Sequence, residues 1–413
     1  MANAVLTIDV IAKEALMILD NNLIAAKQVY RGLESEFGNA MNGYEAGDTV
    51  SIRRPTDFTV RDGATSSNQD VVEGKTSLTV DKQKGVDFGF TSKELTLNIG
   101  ELSERVIKPA MVQLANQIDS DIYALYKQVP NWVGTPGQTI NSYADFAKGP
   151  ERMDEYAVPA ADRSAILSPA DHWGLLGSQT GLYIQDAAKG AYREGSLGKI
   201  GGVDTYMAQN IPTHTVGTAT GTPLVNGGSQ NVTYDSVKNT MTQSLVTGGW
   251  TNSVTGILKA GDVITIANVY AVNPVTKATL PFLKQFVVMA DANSGASTGP
   301  ATLTIYPAII SSGAFQNVSA APADNAVITV QGSGAGLYRQ NMFFHKNAFA
   351  LAMVPMISPP GATDVSRQSY KGTSVRLIPT YDGTNDKSNF RLDVLYGVKA
   401  IDPRLAFRAS GTA

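Results

Sequence analysis

Residues 213–340 form a compositional island. They hold 9 charged residues in 128 positions, against 60 in the other 285. They also hold 28 Ser and Thr, with short runs of Val, Ile, Thr and Tyr. Charge then returns on the far side. The composition of the chain thus changes and then changes back across this stretch. The stretch reads as a β-rich module set into a host fold of mixed α and β character. Four runs inside it alternate or cluster apolar residues as strands do: Asp262 to Ala267, Gln285 to Met289, Ala301 to Tyr306 and Ala326 to Val330. Gly, Pro and Asn separate them, and this spacing predicts a small antiparallel barrel. Leu258-Lys259-Ala260-Gly261-Asp262 reads as a turn leading into a barrel strand.

A 413-residue chain is too long for one ordinary core and fits two or three domains. Before the island, Ile8, Ile11, Ala12, Ala15, Leu16 and Leu19 fall at helical spacing. Their apolar face either packs on its own domain, the simpler reading, or lies as an arm on a neighbouring subunit. Asn98 to Gln128 is the longest helical pattern, with Val106, Ala110, Leu114, Ile118, Ile122 and Leu125 near one stripe. Asn98 and Glu101 suit its start, and Pro109 should kink or split it. Asp119 and Asp121 sit two apart, so they face different sides and cannot act as a pair. A helix from Tyr143 to Tyr156, a buried strand from Arg163 to Ser168, a helix entered at Pro169 and a strand Val203 to Met207 complete the host before the island. After it, Asn341 to Ala350 resumes the host, and Asn389 to Tyr396 reads as a closing strand.

Tyr44 to Phe90 reads as a long hairpin. Thr49 to Arg53 and Ser77 to Asp81 alternate apolar and polar residues around a polar tip, Asp62 to Asp70. From Asp48 to Glu94 there are seven basic and eight acidic residues. A projecting hairpin of balanced charge has no core of its own. Either it stays mobile, or charge pairs with other subunits order it. Arg53, Arg54, Asp57, Arg61, Asp62, Lys75, Lys82 and Lys84 are the candidate inter-subunit contacts. For the Arg53-Arg54 doublet a solvated strand edge and an inter-subunit pair compete, and direct DNA contact comes last because Asp57 and Asp62 lie near.

Enzyme chemistry finds little foothold. The absence of Cys removes disulfides, thiolate metal sites and Cys nucleophiles. His172, His214 and His345 fit no metal-ligand spacing and read as surface or half-buried imidazoles. Gly332-Ser333-Gly334-Ala335-Gly336 lacks the dinucleotide-loop offset and reads as a turn, and Gly195 to Lys199 fails the phosphate-loop spacing. No catalytic residue, metal or cofactor is expected. The start of the chain has no basic region followed by an apolar core. The longest apolar run, Ala348 to Ile357, is ten residues and contains Pro355, so it cannot span a bilayer. A net charge of −3 gives no reason for electrostatic capture by nucleic acid or membrane.

Several segments together resemble a family. Glu45 to Pro55 resembles the opening of the extended loop in tailed-phage major capsid proteins. Val106-Ile107-Lys108-Pro109-Ala110, followed by Leu114-Ala115 and Asp119, looks like the start of their spine helix. Arg163 to Pro169, Gly198 to Tyr206 and Asn210-Ile211-Pro212 look like their axial domain. Leu395 to Arg404 is similar to their closing strand and tail. A β-barrel inserted at this point resembles the coat proteins of short-tailed Salmonella-type phages. The resemblance implies an α+β tailed-phage capsid fold of the Hong Kong 97 type with an inserted antiparallel β-barrel domain. It divides the chain into an N-terminal arm (1–43), an extended loop (44–97), a spine helix and peripheral region (98–130), a first axial part (131–212), the barrel (213–340) and an axial and peripheral return with the tail (341–413). It implies a virion subunit, assembled in the bacterial cytoplasm, that forms hexamers and pentamers of an icosahedral shell. The implied partners are the chain itself, a scaffolding protein, a portal protein and packaged double-stranded DNA in non-specific contact, with no membrane. A nanocompartment shell protein enclosing an enzyme shares the fold but has no typical insertion of this kind. A secreted β-rich adhesin would need a signal peptide.

Overall fold

The structure is a computed structural model that describes residues 8–34, 49–61, 63–66, 68–91, 103–179, 197–359 and 365–412. These fall into two compact units. The first draws on Met1–Ser51, Ser77–Ile122 and Phe349–Lys399; the second on Ile52–Thr76, Tyr123–Ala348 and Ala400–Ala413.

In the first unit, a sheet runs in the order Phe349–Met353, Lys387–Ala400, Thr373–Asp382, Ser366–Tyr370. The N-terminal helix Ile8–Asn22 packs on the last two of these strands. Ile11, Ala12, Ala15, Leu16 and Leu19 are all buried, and the Ser366 hydroxyl donates to Asp9 at 2.6 Å. The apolar stripe is therefore covered by the chain's own sheet, and the arm reading gives way to the simpler one. The long helix begins as a π-helical turn, Ser103–Ile107, and continues as an α-helix, Lys108–Tyr123, then a 3-10 turn, Ala124–Gln128. Pro109 lies just past the point where the π-helical turn gives way to α-helix, so the expected disturbance takes the form of that change of helix type beside the proline. Asn98 and Glu101 lie outside the described residues. Asp119 accepts from the backbone N–H groups of Ile24 (2.8 Å) and Ala26 (3.1 Å). Asp121 instead takes Lys82 Nζ at 3.2 Å and the Tyr396 hydroxyl at 2.7 Å. The two carboxylates have separate partners, as their spacing requires.

The hairpin is less dependent on neighbours than its charge suggests. Thr49–Arg53 pairs with Lys75–Thr79. The strand Lys82–Thr91 then pairs antiparallel with Lys387–Ala400 over ten residues, from Lys82 opposite Tyr396 to Thr91 opposite Lys387. Phe88 stacks on Phe390 with ring centroids 5.6 Å apart. The chain itself therefore orders this part of the hairpin. The expectation that other subunits must do so is corrected for residues 82–91: periodicity showed the strand but not its distant partner. Tyr44 to Asp48 lies outside the described residues.

In the second unit, six antiparallel strands form a sheet in the order Ile328–Val330, Val263–Val272, Thr279–Val288, Ala301–Tyr306, Gln243–Trp250, Gly221–Val225. The edges meet: Leu224 bridges Val327, and Val225 N–H donates to Ala326 O at 2.9 Å. This near-closure removes the free edges of an open sheet. Leu245, Trp250, Ile264, Ile266, Phe286, Val288, Leu303 and Ile305 fill the interior. Two of the four expected strands are longer than expected, and Gly221–Val225 and Gln243–Trp250 add to them. Gly and Pro in Gly221-Thr222-Pro223 and the pair Gly248-Gly249 had disguised these last two.

The chain enters and leaves this barrel through one ribbon, Thr213–Thr215 paired antiparallel with Leu337–Arg339. Below it lies a six-stranded sheet in the order Asn131–Val133, Ala406–Ala409, Asn341–His345, Arg163–Leu167, Val203–Met207, Lys199–Ile200. The helices Tyr143–Glu155 and Pro169–Gln179 pack against it, with Phe146, Met153, Leu175, Leu167, Phe343 and Phe407 in one core. Ser142 caps the first helix by accepting from Asp145 N–H at 3.1 Å.

Candidate functional site

The feature that most needs explaining is a charged group with no exposure. Arg408 sits in Ala406-Phe407-Arg408-Ala409, a strand buried along its whole length. Phe407 joins the apolar core, so alternation sends Arg408 to the opposite face. There its Nε and Nη2 donate to Val129 O at 3.0 and 2.7 Å. Its Nη1 donates to Gly261 O at 2.7 Å and Gln340 Oε1 at 3.3 Å. The guanidinium also lies 5.3 Å from the Tyr126 ring centroid and 5.5 Å from that of Trp132. One side chain from the tail thus joins the end of the long helix, the barrel turn at Gly261 and the barrel's last residue, Gln340.

A second chain of hydrogen bonds runs beside it. The Tyr126 hydroxyl meets His214 Nδ1 at 3.0 Å, and His214 Nε2 meets Asp262 Oδ1 at 2.7 Å. Asp262 Oδ2 accepts from Gly217 N–H (3.0 Å) and Lys259 N–H (2.7 Å). In the neutral imidazole, an acceptor carboxylate fixes the proton on Nε2 and leaves Nδ1 to accept from tyrosine. Tyr126, His214 and Asp262 have relative exposures of 4%, 3% and 1%, so no substrate reaches them. Their chemistry is structural: they satisfy polar groups where a polar turn is buried against the host. His172 and His345 are buried too. The expectation of surface or half-buried imidazoles is corrected for all three histidines. The usable signal was the lone arginine in an otherwise apolar strand, together with the Gly261-Asp262 turn.

The charged hairpin residues scatter rather than converge. Arg53 pairs with Glu73 at 3.2 Å on an exposed surface. Arg54 donates its backbone N–H to Gly74 O at 2.8 Å. Its side-chain Nε is buried, while the residue as a whole is half-buried. Arg61 donates to the carbonyls of Gly63 and Thr65 within the tip. Asp62 lies outside the described residues. Lys75 N–H donates to Asn239 Oδ1 at 3.1 Å, which ties the hairpin base to the barrel. Lys82 holds Asp121, and Lys84 is half-buried opposite Val394.

Asp57 lines a cavity of about 330 Å³ that also takes in Lys277, Lys284, His345, Asp402 and Arg404. Arg404 grips Asp402 through two hydrogen bonds, Nε to Oδ1 at 2.8 Å and Nη2 to Oδ2 at 2.7 Å. Burial pushes the Asp402 carboxyl up, but the charge and hydrogen bonds of Arg404 outweigh it and hold it below its usual range. Lys284 is 4% exposed. Burial, then repulsion from Arg404 and Arg152, pushes its ammonium down to about 7. Among the described residues, no group of three or more His, Asp or Glu is placed to hold a metal ion. No described helix is long and apolar enough to cross a membrane.

The family model described as P22 coat protein, gene protein 5, matches residues 1–407. The chain belongs to the P22 coat protein family. A curated relative, the major capsid protein of Acyrthosiphon pisum secondary endosymbiont phage 1, is 23% identical over 412 residues, 96% of each chain. Among solved structures, the coat protein is similar to one from Mycobacterium phage Che8, at 13% identity and a TM-score of 0.48, covering 94% of this chain and 90% of that one. It is also similar to the CUS-3 coat protein I-domain, at 27% identity and a TM-score of 0.19, covering 27% of this chain and 96% of that one. The fold is the tailed-phage capsid fold with a near-closed barrel inserted. The coat protein is a major capsid protein, a virion component that associates with copies of itself into a shell. The nanocompartment and adhesin alternatives gain no support.

Proposed function

We propose that this coat protein builds an icosahedral shell of hexamers and pentamers around an internal scaffolding protein in the host cytoplasm. The shell then receives double-stranded DNA through a portal, and the protein's part in this is structural rather than catalytic. The observation that carries the reading is the extent of the family match, residues 1–407, which runs through hairpin, barrel and closing strands alike. The hairpin adds support. Phe58, Val60 and Val71 have relative exposures of 56%, 100% and 64%, and apolar side chains held out in this way suit contact with other protein. We assign the charged contacts of the hairpin (Arg53, Arg54, Asp57, Arg61, Asp62, Lys75, Lys82 and Lys84) to positioning at that contact. Lys82 also serves its own unit through Asp121. Apart from the N-terminal arm, whose helix Ile8–Asn22 packs on its own sheet, the domain divisions expected from the sequence are kept as assembly units, with residues 213–340 as the inserted barrel. Contact with packaged DNA is weak and without sequence preference, because 36 acidic residues nearly balance 33 basic ones.

Expression with a scaffolding protein, followed by sedimentation and negative-stain imaging, tests the proposal. Closed shells or polyheads are the expected result. A chain that stays monomeric under all such conditions overturns it.

A further inference from the structure

Among the described residues lining the cavity beside Asp57, Lys284 is a buried cation that no carboxylate pairs with or attracts. Asp402 is taken by Arg404 in a two-point pair. Asp57 lies within electrostatic range of Lys277, whose ammonium it favours, and of Arg404. Lys284 has neither a hydrogen bond nor an ion pair among the described residues. Its nearest support is the face of the Tyr156 ring, with Nζ 4.7 Å from the centroid. The nearest charges acting on it, Arg404 and Arg152, repel it. A buried ammonium in such a place is costly unless something arrives to pair with it. The rest of the cavity wall is largely apolar, with Pro130, Met241, Val272, Pro307, Phe315 and Leu405 on it.

We propose that this cavity is a socket for an acidic side chain carried by a second copy of the coat protein in the shell, with Lys284 as the group that receives the carboxylate. The proposal rests on the shell-assembly reading above. One unpaired positive charge within an apolar wall matches one carboxylate with apolar flanks, whereas a phosphate dianion would bring a charge in excess. A volume of about 330 Å³ exceeds a single acidic side chain and leaves room for its neighbours. The chain has more acidic than basic residues, 36 against 33, so it carries spare carboxylates to offer. In a symmetric shell every copy presents both the socket and the side chain that fills it, so the contact repeats at each equivalent interface.

The test uses the full-length protein, unaltered and as Lys284→Met. Removing an unpaired buried charge should leave the unassembled variant as stable as the unaltered protein or more so. The concentration it needs for assembly should rise about tenfold or more. Zero-length carbodiimide coupling of unaltered shells, assembled from a mixture of isotopically light and heavy chains, should join Lys284 to an Asp or Glu of a different copy. Coupling to Asp57 or Asp402 of the same copy overturns the proposal, as does coupling to scaffolding protein. Assembly of Lys284→Met at the unaltered concentration also overturns it. If the unaltered protein forms no shells at all, the assembly reading itself fails, a result distinct from normal shells that ignore Lys284.

Discussion

Thr213 lies opposite Arg339 in an antiparallel ribbon, so the barrel's first and last paired residues are neighbours although 126 positions separate them. A domain whose ends meet can be inserted without pulling its host apart. Residues 213–340 excised as a fragment should therefore give a β-type circular dichroism spectrum and one cooperative thermal transition. Nearly 130 residues with a filled interior bury enough apolar surface for this without disulfides. An unstructured fragment would mean that the host holds the island as a set of extended loops.

The fragment should nevertheless be less stable than the barrel in place, because Arg408 belongs to the host. Arg408→Ala in the full chain leaves the carbonyls of Val129 and Gly261 and the Gln340 amide oxygen without their arginine donor in a buried site. Each orphaned acceptor costs about 1–3 kcal/mol. A loss of about 3 kcal/mol or more is expected in urea unfolding of the unassembled protein. Arg408→Lys should fall between, since an ammonium does not reproduce the planar fork. A loss below about 1 kcal/mol for Arg408→Ala would show that water or repacking replaces the network.

Asp119 gives a pH dependence of predictable sign. Burial pushes its carboxyl up to about 6 from an ordinary 3.8, against the backbone N–H bonds of Ile24, Ala26 and Ala25. The folded state therefore holds a proton more readily than the unfolded state. The associated stability is full below about pH 3.8 and is lost as pH rises through about 6. Between pH 7 and pH 5 this group alone should raise unfolding stability by about 1 kcal/mol. Asp119→Asn should remove that slope. It should also lower stability overall, since one amide oxygen cannot serve two N–H donors on separate oxygens. An unchanged slope in the variant would assign the pH dependence to other groups.

These tests bear on what a sequence of this kind reveals. Local patterns were plain: the helix stripe from Ile11 to Leu19, the strand Ala301–Tyr306 and the compositional break at the barrel all follow from period and charge. Long-range pairing was not. Lys82–Thr91 alternates along its length whether its partner is in the same chain or another, and only the register with Lys387–Ala400 decides between them. The foot of the barrel was hidden for a similar reason. Tyr126, His214, Asp262 and Arg408 are spread over 283 positions and share no motif. What they share is burial, and its traces in the sequence are an arginine among apolar neighbours and the Gly261-Asp262 turn.

Hydrogen exchange on the unassembled protein should find Lys82–Thr91 protected already, because its partner strand is its own. The stretch from Pro55 to Glu73 has no described strand pairing and should gain protection only in the shell. Among the described residues its one ion pair, Glu73 with Arg53, is exposed, and such pairs contribute about 0–1 kcal/mol each. Arg53→Ala or Arg61→Ala alone should therefore weaken assembly modestly. Reversing both charges, Arg53→Glu with Arg61→Glu, should weaken it by more than the two single losses combined if one acidic surface receives them. Protection of Pro55 to Glu73 that is equal before and after assembly would sink the inter-subunit role of the hairpin, whatever the variants do.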